Sequence, residues 1–198
     1  MKASEVIQYA KNGELKQLHI KSDDSVVISY INLGIIELYK RFNLSIKVEV
    51  LKTLPDIKVY TLRNTDINMV LTIYDSTGKK LEYKRLPADD LYDITQLNLT
   101  TFLFKNPKDE EVLFLYKASP PVIEAVSDNI EIPYDMLEAL LNYIGYKGQT
   151  YMNKQNNVQV PSINFFDMFE KSCYELTQLG YKMDFSDMEK DIRTKGFV

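Results

Sequence analysis

Cysteine occurs once in the 198 residues, at Cys173, so no internal disulfide can form and no cysteine zinc site can be assembled. A reducing compartment is the natural setting. Histidine also occurs once, at His19, which removes every two-histidine metal spacing and any catalytic set that needs a second, orienting histidine. Basic residues are not in excess: 24 Lys and Arg stand against 28 Asp and Glu, for a net charge of -4, so the electropositive footprint of a dedicated DNA-binding module is missing. No stretch approaches the roughly 18 consecutive apolar residues of a membrane span. Met1 to Glu5 meets a charge before any apolar run long enough for a signal peptide, so the chain reads as neither exported nor membrane-spanning. On that reading the acceptor-like triplets Asn43-Leu44-Ser45 and Asn98-Leu99-Thr100 carry no weight. Solenoid repeats and low-complexity tracts are lacking as well.

What is present is an ordinary globular balance, 45% hydrophobic and 26% charged, in a length that suits one compact domain or a helical domain carrying an inserted module. Ser22-Asp23-Asp24-Ser25 is a cluster of N-cap residues. Val27, Ile31, Ile35, Leu38 and Phe42 then recur at three- and four-residue steps, which predicts a long helix to Phe42; a shorter one, capped by Ser4, ends at Asn12-Gly13. From Ser45 the period changes to two. Ile46, Val48 and Val50 alternate with Lys47 and Glu49, the two-residue repeat of a half-buried strand. Further strands are predicted at 57–62, 69–74, 81–84, 100–104 and 112–117, with Asp75-Ser76-Thr77-Gly78 and Asn106-Pro107-Lys108-Asp109 each closing a hairpin. Pro120-Pro121 ends the run of strands. Pro133 and Asp135 then open a helix with Leu137, Leu140, Leu141, Ile144, Gly148 and Tyr151 on one stripe, broken at Gln155-Asn156-Asn157. Ser162 or Asn164 caps the last helix, whose stripe is Phe165, Phe169, Cys173 and Leu176 and whose stop is Gly180.

The fold class that follows is α+β: residues 1–44 and 121–180 as a discontinuous helical bundle, with residues 45–120 inserted as a small antiparallel β sandwich or barrel. Residues 181–198 have a different character. Met183, Phe185, Met188, Ile192, Phe197 and Val198 are spread among charges, too few for a core and too many for a purely solvated end, so they are the candidate partner interface of a C-terminal docking tail.

Chemistry is harder to find. Cys173 lies on an apolar helix stripe, where a free thiol is a small, inert hydrophobe, and His19 beside Leu18 and Ile20 reads as a surface or packing residue. Gly78-Lys79 lacks the earlier glycine of a phosphate loop, since Ile73 occupies that position, and reads as a hairpin turn. Asp56, Glu82 and Lys84 imitate the acid, acid-x-Lys spacing of Mg²⁺-dependent nucleases, in which two carboxylates hold the ion and the lysine assists water. Pro-Asp before a strand is also a common turn, and alternating Glu and Lys is an ordinary exposed strand face. Asp89, Asp90 and Asp93 read as caps and flanks of a short helical turn. The 14 tyrosines and nine phenylalanines are core or interface residues, because base stacking needs interleaved cations on the same face. No catalytic residue, metal ligand or cofactor is assigned, and the chain is read as not an enzyme.

Three local features together resemble the head-to-tail adaptor proteins of short-tailed bacteriophages, the tail tubular protein A-like, portal-adjacent ring proteins. The first is the helix that starts at Asp23-Asp24 and carries Val27-Ile28-Ser29-Tyr30-Ile31-Asn32, followed by Glu37-Leu38 and Arg41-Phe42. The second is Ile73 to Leu81, which is similar to the hairpin of that family's inserted β domain, and the third is Ile132-Pro133-Tyr134 opening a long helix that ends with Tyr151 before another helix of similar length. The resemblance implies a structural virion protein: a homo-oligomeric ring, of twelve copies by the family's pattern, under the portal protein and joined to a tail tube or nozzle protein. It implies residence in the virion neck after assembly in the host cytoplasm, no cofactor and no membrane, with DNA passing non-specifically through the lumen. A net acidic ring suits that passage, because it repels phosphates instead of holding them. The alternatives are a small Mg²⁺-dependent nuclease-like enzyme built on Asp56, Glu82 and Lys84, or another neck or tail component of the virion.

Overall fold

In the computed structural model, residues 1–85, 92–155 and 164–182 are described. The chain divides into two compact units, one built from Met1–Leu44 together with Pro120–Val198, the other from Ser45–Ser119. Helices make up the first and two four-stranded sheets the second, so the fold is α+β.

In the helical unit, α1 (Ala3–Asn12) starts where the Glu5 carboxylate accepts the Lys2 backbone N–H at 2.8 Å, the return half of a capping box. A single turn, α2 (Glu14–Gln17), follows and ends at His19, whose φ of 56° puts a non-glycine residue in the left-handed region. Helix α3 (Asp24–Arg41) carries the predicted stripe, and Val27, Ile31, Ile35, Leu38 and Phe42 are all buried. After a 3₁₀ turn at Tyr134–Met136 comes α4 (Leu137–Gln155), in which Leu140, Ile144 and Gly148 face inward as expected while Tyr151 is exposed. The buried face is completed by Met136, Ala139 and Tyr143. Helix α5 (Phe165–Gln178) is capped by Asn164, whose side chain accepts from the N–H groups of Phe166 and Asp167. It stops at Gly180, φ 95°, with the Tyr181 N–H returning to the Leu176 carbonyl, which is the bonding of a Schellman motif. Residues of α1, α3, α4 and α5 share one core.

The β unit contains β1 (Ile46–Thr53), β2 (Val59–Thr61), β3 (Ile67–Tyr74), β4 (Lys80–Leu81), β5 (Tyr83–Arg85), β6 (Ile94–Gln96), β7 (Thr101–Phe104) and β8 (Glu110–Ala118). One sheet has the order β1-β8-β3-β4 and the other β2-β7-β6-β5. Inward residues of both sheets form a single core, and Phe102 of β7 meets Phe114 of β8 with ring centroids 4.8 Å apart. Two sheets face each other as a small sandwich. The β3–β4 hairpin forms as expected around Asp75 to Gly78, with Ile73 opposite Leu81. One pair, β5 with β6, is parallel, because β5 passes to the second sheet immediately after β4.

One expectation about this unit is corrected. The turn at Asn106 to Asp109 does not close a hairpin: β7 and β8 lie in different sheets, so the turn is a corner of the sandwich. Both strands alternate aromatic residues toward the interior, and their rings bury more surface facing each other across the core than lying side by side. The phase of β1 is the second finding, since the apolar side of its alternation faces away from the core. Ile46, Val48 and Val50 point outward at 48%, 51% and 54% exposure, while Glu49 is 9% and Thr53 1% exposed. The inward polar groups are satisfied locally: the Glu49 carboxylate accepts the N–H groups of Arg63 and Asn64 at 2.6 and 3.2 Å, and the Thr53 hydroxyl donates to the Lys108 carbonyl at 2.7 Å.

Candidate assembly surfaces

Several residues of the adaptor-like opening brace the helical unit from within. Asn32 on α3 donates through Nδ2 to the Ile123 carbonyl at 2.8 Å and accepts the Ile123 N–H at 2.9 Å, a two-bond clamp between positions 91 apart in sequence. Arg41, one α3 turn beyond Glu37, donates Nε to that carboxylate at 2.9 Å and both Nη groups to Glu170 of α5 at 2.8 and 2.6 Å. Its guanidinium also lies 4.6 Å from the Phe169 ring centroid. Burial works against the charge of Arg41, but the bonds to Glu170 and Glu37 prevail and hold its pKa above the ordinary value. Phe42 is buried and meets Tyr181 edge to face at 6.4 Å. Positions 37 and 41 share one row of α3 at i,i+4 spacing while Asn32 stands half a turn away from Arg41, so the one helix braces two different segments.

Cys173 is buried in the same core, and its thiol is pushed up to about 12, first by burial, with the Arg41 charge pulling the other way. It has no thiolate character for nucleophilic work near neutral pH. His19 is exposed and occupies the left-handed position that ends α2. The Gly78-Lys79 turn is organised by Asp75, whose Oδ1 accepts from the Thr77 hydroxyl and from the N–H groups of Thr77 and Lys79; those bonds, the hydroxyl first, hold its carboxyl below the ordinary range. Gly78, φ 81°, supplies the backbone conformation of this turn.

Of the nuclease-like set, Asp56 is exposed in the β1–β2 turn and Glu82 is exposed between β4 and β5. Lys84 is engaged elsewhere, with Nζ 3.2 Å from the Tyr92 hydroxyl and 4.7 Å from its ring centroid. Among the described residues no group of three or more His, Cys, Asp or Glu is placed to hold a metal ion. Asp93 is exposed, whereas Asp89 and Asp90 lie outside the described residues. The candidate interface residues Met183, Phe185, Met188, Ile192, Phe197 and Val198 also lie outside them.

What remains unabsorbed is apolar surface. On α3 a second stripe, Val26, Leu33 and Ile36, is exposed opposite the buried one. On α5 Tyr174 is exposed, while Phe166 meets Tyr146 with ring centroids 5.1 Å apart; on β1 Ile46, Val48 and Val50 are exposed. Sequence periodicity missed these because α3 is apolar nearly all round, and a stripe argument finds one face and stops. Contiguous exposed apolar surface is common at protein–protein contacts. Among the described residues no helix is long and apolar enough to cross a membrane.

No family model matches the chain, and no curated protein matches it. Among solved structures, a chain from the neck of an empty GTA particle with C6 symmetry is similar, at 11% identity, over 81% of this chain and 87% of that chain, with a TM-score of 0.27. That superposition is too loose to assign a fold or a role.

Proposed function

We propose that this protein is a structural neck component of a phage-like virion, a head-to-tail adaptor that forms a ring beneath the portal protein and hands DNA on to a tail tube or nozzle protein. The observation that supports it is the placement of the adaptor-like residues. Asn32, Glu37 and Arg41 are committed to internal bracing, which leaves Val26, Leu33 and Ile36 as an apolar stripe on the outer side of α3. A ring made by head-to-tail contacts uses two different faces of each copy, and the exposed apolar residues of α3 and of β1 supply such faces. Twelve copies is the number the family resemblance suggests. The acidic balance, net -4, favours passage of DNA without retention.

Residues 181–198 act as the docking tail in this reading, with Met183, Phe185, Met188, Ile192, Phe197 and Val198 laid onto the portal or a neighbouring copy. Three such side chains fully buried contribute roughly 1.5 to 3 kcal/mol each before the ordering cost is subtracted. Repetition round a ring multiplies the effect through avidity. The test is deletion of residues 183–198 followed by attachment to portal-containing heads, with particles imaged. The expected result is a folded chain that no longer attaches; undiminished attachment removes the tail's role, and images of heads without a ring of this protein at the neck remove the adaptor reading.

A further inference from the structure

We infer that α2 and the residues after it, 14–20, form a flap on α4 that closes when Glu14 is protonated and loosens when Glu14 ionises. This device is independent of the adaptor reading. A single turn of four residues, α2 is too short to hold its own shape in water, so its order comes from what it packs against. Leu15 and Leu18 are buried, and their seat is Gly148 of α4. A Cβ on that glycine would lie 2.9 Å from Leu15 Cδ2, 3.1 Å from Ile20 Cδ1 and 3.4 Å from Leu18 Cδ1. Three apolar side chains of one short stretch thus rest on a position of α4 that has no side chain of its own. The joint with α1 is Gly13, whose N–H donates to the Tyr9 carbonyl at 2.8 Å and whose carbonyl accepts the Gln17 N–H at 3.1 Å.

Two features of this stretch oppose its closure. His19 ends the turn at φ 56°, a left-handed backbone held where its N–H meets the Lys16 carbonyl at 3.0 Å and the Ile20 N–H meets the Leu15 carbonyl at 2.9 Å. Such conformations persist only where the surrounding structure imposes them, and they gather at switch segments. Glu14 supplies the second feature. Its Oε2 is buried without a hydrogen-bond partner, and the charge that α4 brings towards it is the acid Glu138. On α1, which also packs against α2, Lys11 is held by Asp24 at 2.7 Å; Lys16 and His19, the basic residues of the stretch itself, are exposed. Burial first, and then Glu138, hold the Glu14 carboxyl above its ordinary range, against a bond to its own backbone N–H. The closed flap therefore favours the protonated carboxyl, and that contribution is lost as pH rises through the folded value. Once Glu14 ionises, the packing of Leu15, Leu18 and Ile20 is the main hold that remains, and opening becomes a local event that leaves α5 closed.

Hydrogen exchange of the full-length chain, followed amide by amide, tests this. The amides to watch are those of Gln17, Leu18, His19 and Ile20, whose bonds close the flap, with amides in the middle of α5 as the internal reference. Protection of the flap amides relative to α5 is expected to fall by about threefold or more between about pH 4 and about pH 7. Glu14→Gln is expected to abolish that fall, and Glu14→Ala serves in its place if the first variant does not fold. His19→Asn, in which the left-handed position is still tolerated and the imidazole is gone, is expected to keep the fall. Relative protection that does not change with pH overturns the proposal. A fall that survives the loss of the Glu14 carboxyl overturns it too, and so does a fall that disappears in His19→Asn, which would move the response to the imidazole.

Discussion

At the scale of single residues, the groups that carry tension are not the ones that resemble a catalytic site. His19 holds φ 56° at the end of α2, where its N–H meets the Lys16 carbonyl and the Ile20 N–H meets the Leu15 carbonyl. A left-handed residue with a side chain costs on the order of 1 kcal/mol, partly offset when glycine brings its own chain entropy. His19→Gly is therefore expected to stabilise by about 0.5 kcal/mol, and His19→Val, β-branched in the same position, to destabilise by about 1 kcal/mol or more, both read by urea denaturation. Glu14 is the second such residue. One of its oxygens is buried without a partner, and burial first, then the Glu138 charge, holds its pKa above the ordinary 4.5, against an opposing bond to its own backbone N–H. A carboxyl whose folded pKa is raised favours folding most while protonated, and that contribution is lost as pH rises through the folded value. Glu14→Gln should accordingly raise the melting temperature at pH 7, with the gain shrinking to nothing as pH falls below the ordinary carboxylate range. A gain that is constant with pH would place the effect elsewhere.

At the scale of elements, the helices meet where side chains are smallest. A Cβ on Gly145 of α4 would lie 2.6 to 2.9 Å from three ring atoms of the buried Phe165, which cannot turn aside as a flexible side chain can. Gly145→Ala is expected to destabilise by about 1 to 2 kcal/mol net, the overpacking outweighing a helix-propensity gain of roughly 1 kcal/mol. Thermal melts of the variant check it. The same scale shows what could be read in advance. The stripes of α3 and α5, the Asn164 cap and the Gly180 stop were legible because each is written in neighbouring residues. The phase of β1 was not, since alternation separates two faces without saying which one meets the core; that choice is made by Arg63 and Asn64, whose N–H groups draw Glu49 inward. Nor could the turn at Asn106 to Asp109 announce whether it joins strands of one sheet or of two, a matter settled by Phe102 against Phe114. Of the candidate interface, the segment Met183 to Val198 was visible in the sequence, while the outward apolar side of β1 emerged only with the phase of that strand.

At the scale of the whole molecule, the two units carry different duties in the adaptor reading, and the enzyme alternative has a clear test. Asp56 and Glu82 occupy exposed loop positions of the β unit, so Asp56→Ala and Glu82→Ala are expected to leave melting within about 0.5 kcal/mol and attachment to heads unchanged. Incubation of the purified chain with DNA and Mg²⁺ checks the contrary case. Cleavage that either substitution abolishes would replace the structural reading with a catalytic one.

The β unit begins and ends at one place. Ser45 accepts a hydrogen bond from the Ala118 N–H at 2.9 Å, and β1 and β8 run antiparallel from that point, so the two connections leave side by side. For a folding chain this changes the distance to be searched. With the β unit still unfolded, α3 finds α4 across residues 42–136, about 95 links; once β1 and β8 have paired, the same partners are separated by residues 42–45 and 119–136, about 22 links. On a logarithmic closure cost of about 0.6 kcal/mol per doubling, about two doublings are removed, which is roughly 1.2 kcal/mol in favour of the helical contacts. The inserted sandwich thus works as a kinetic clasp, and a variant that folds it slowly should delay the helices as well, although none of the helical residues has changed.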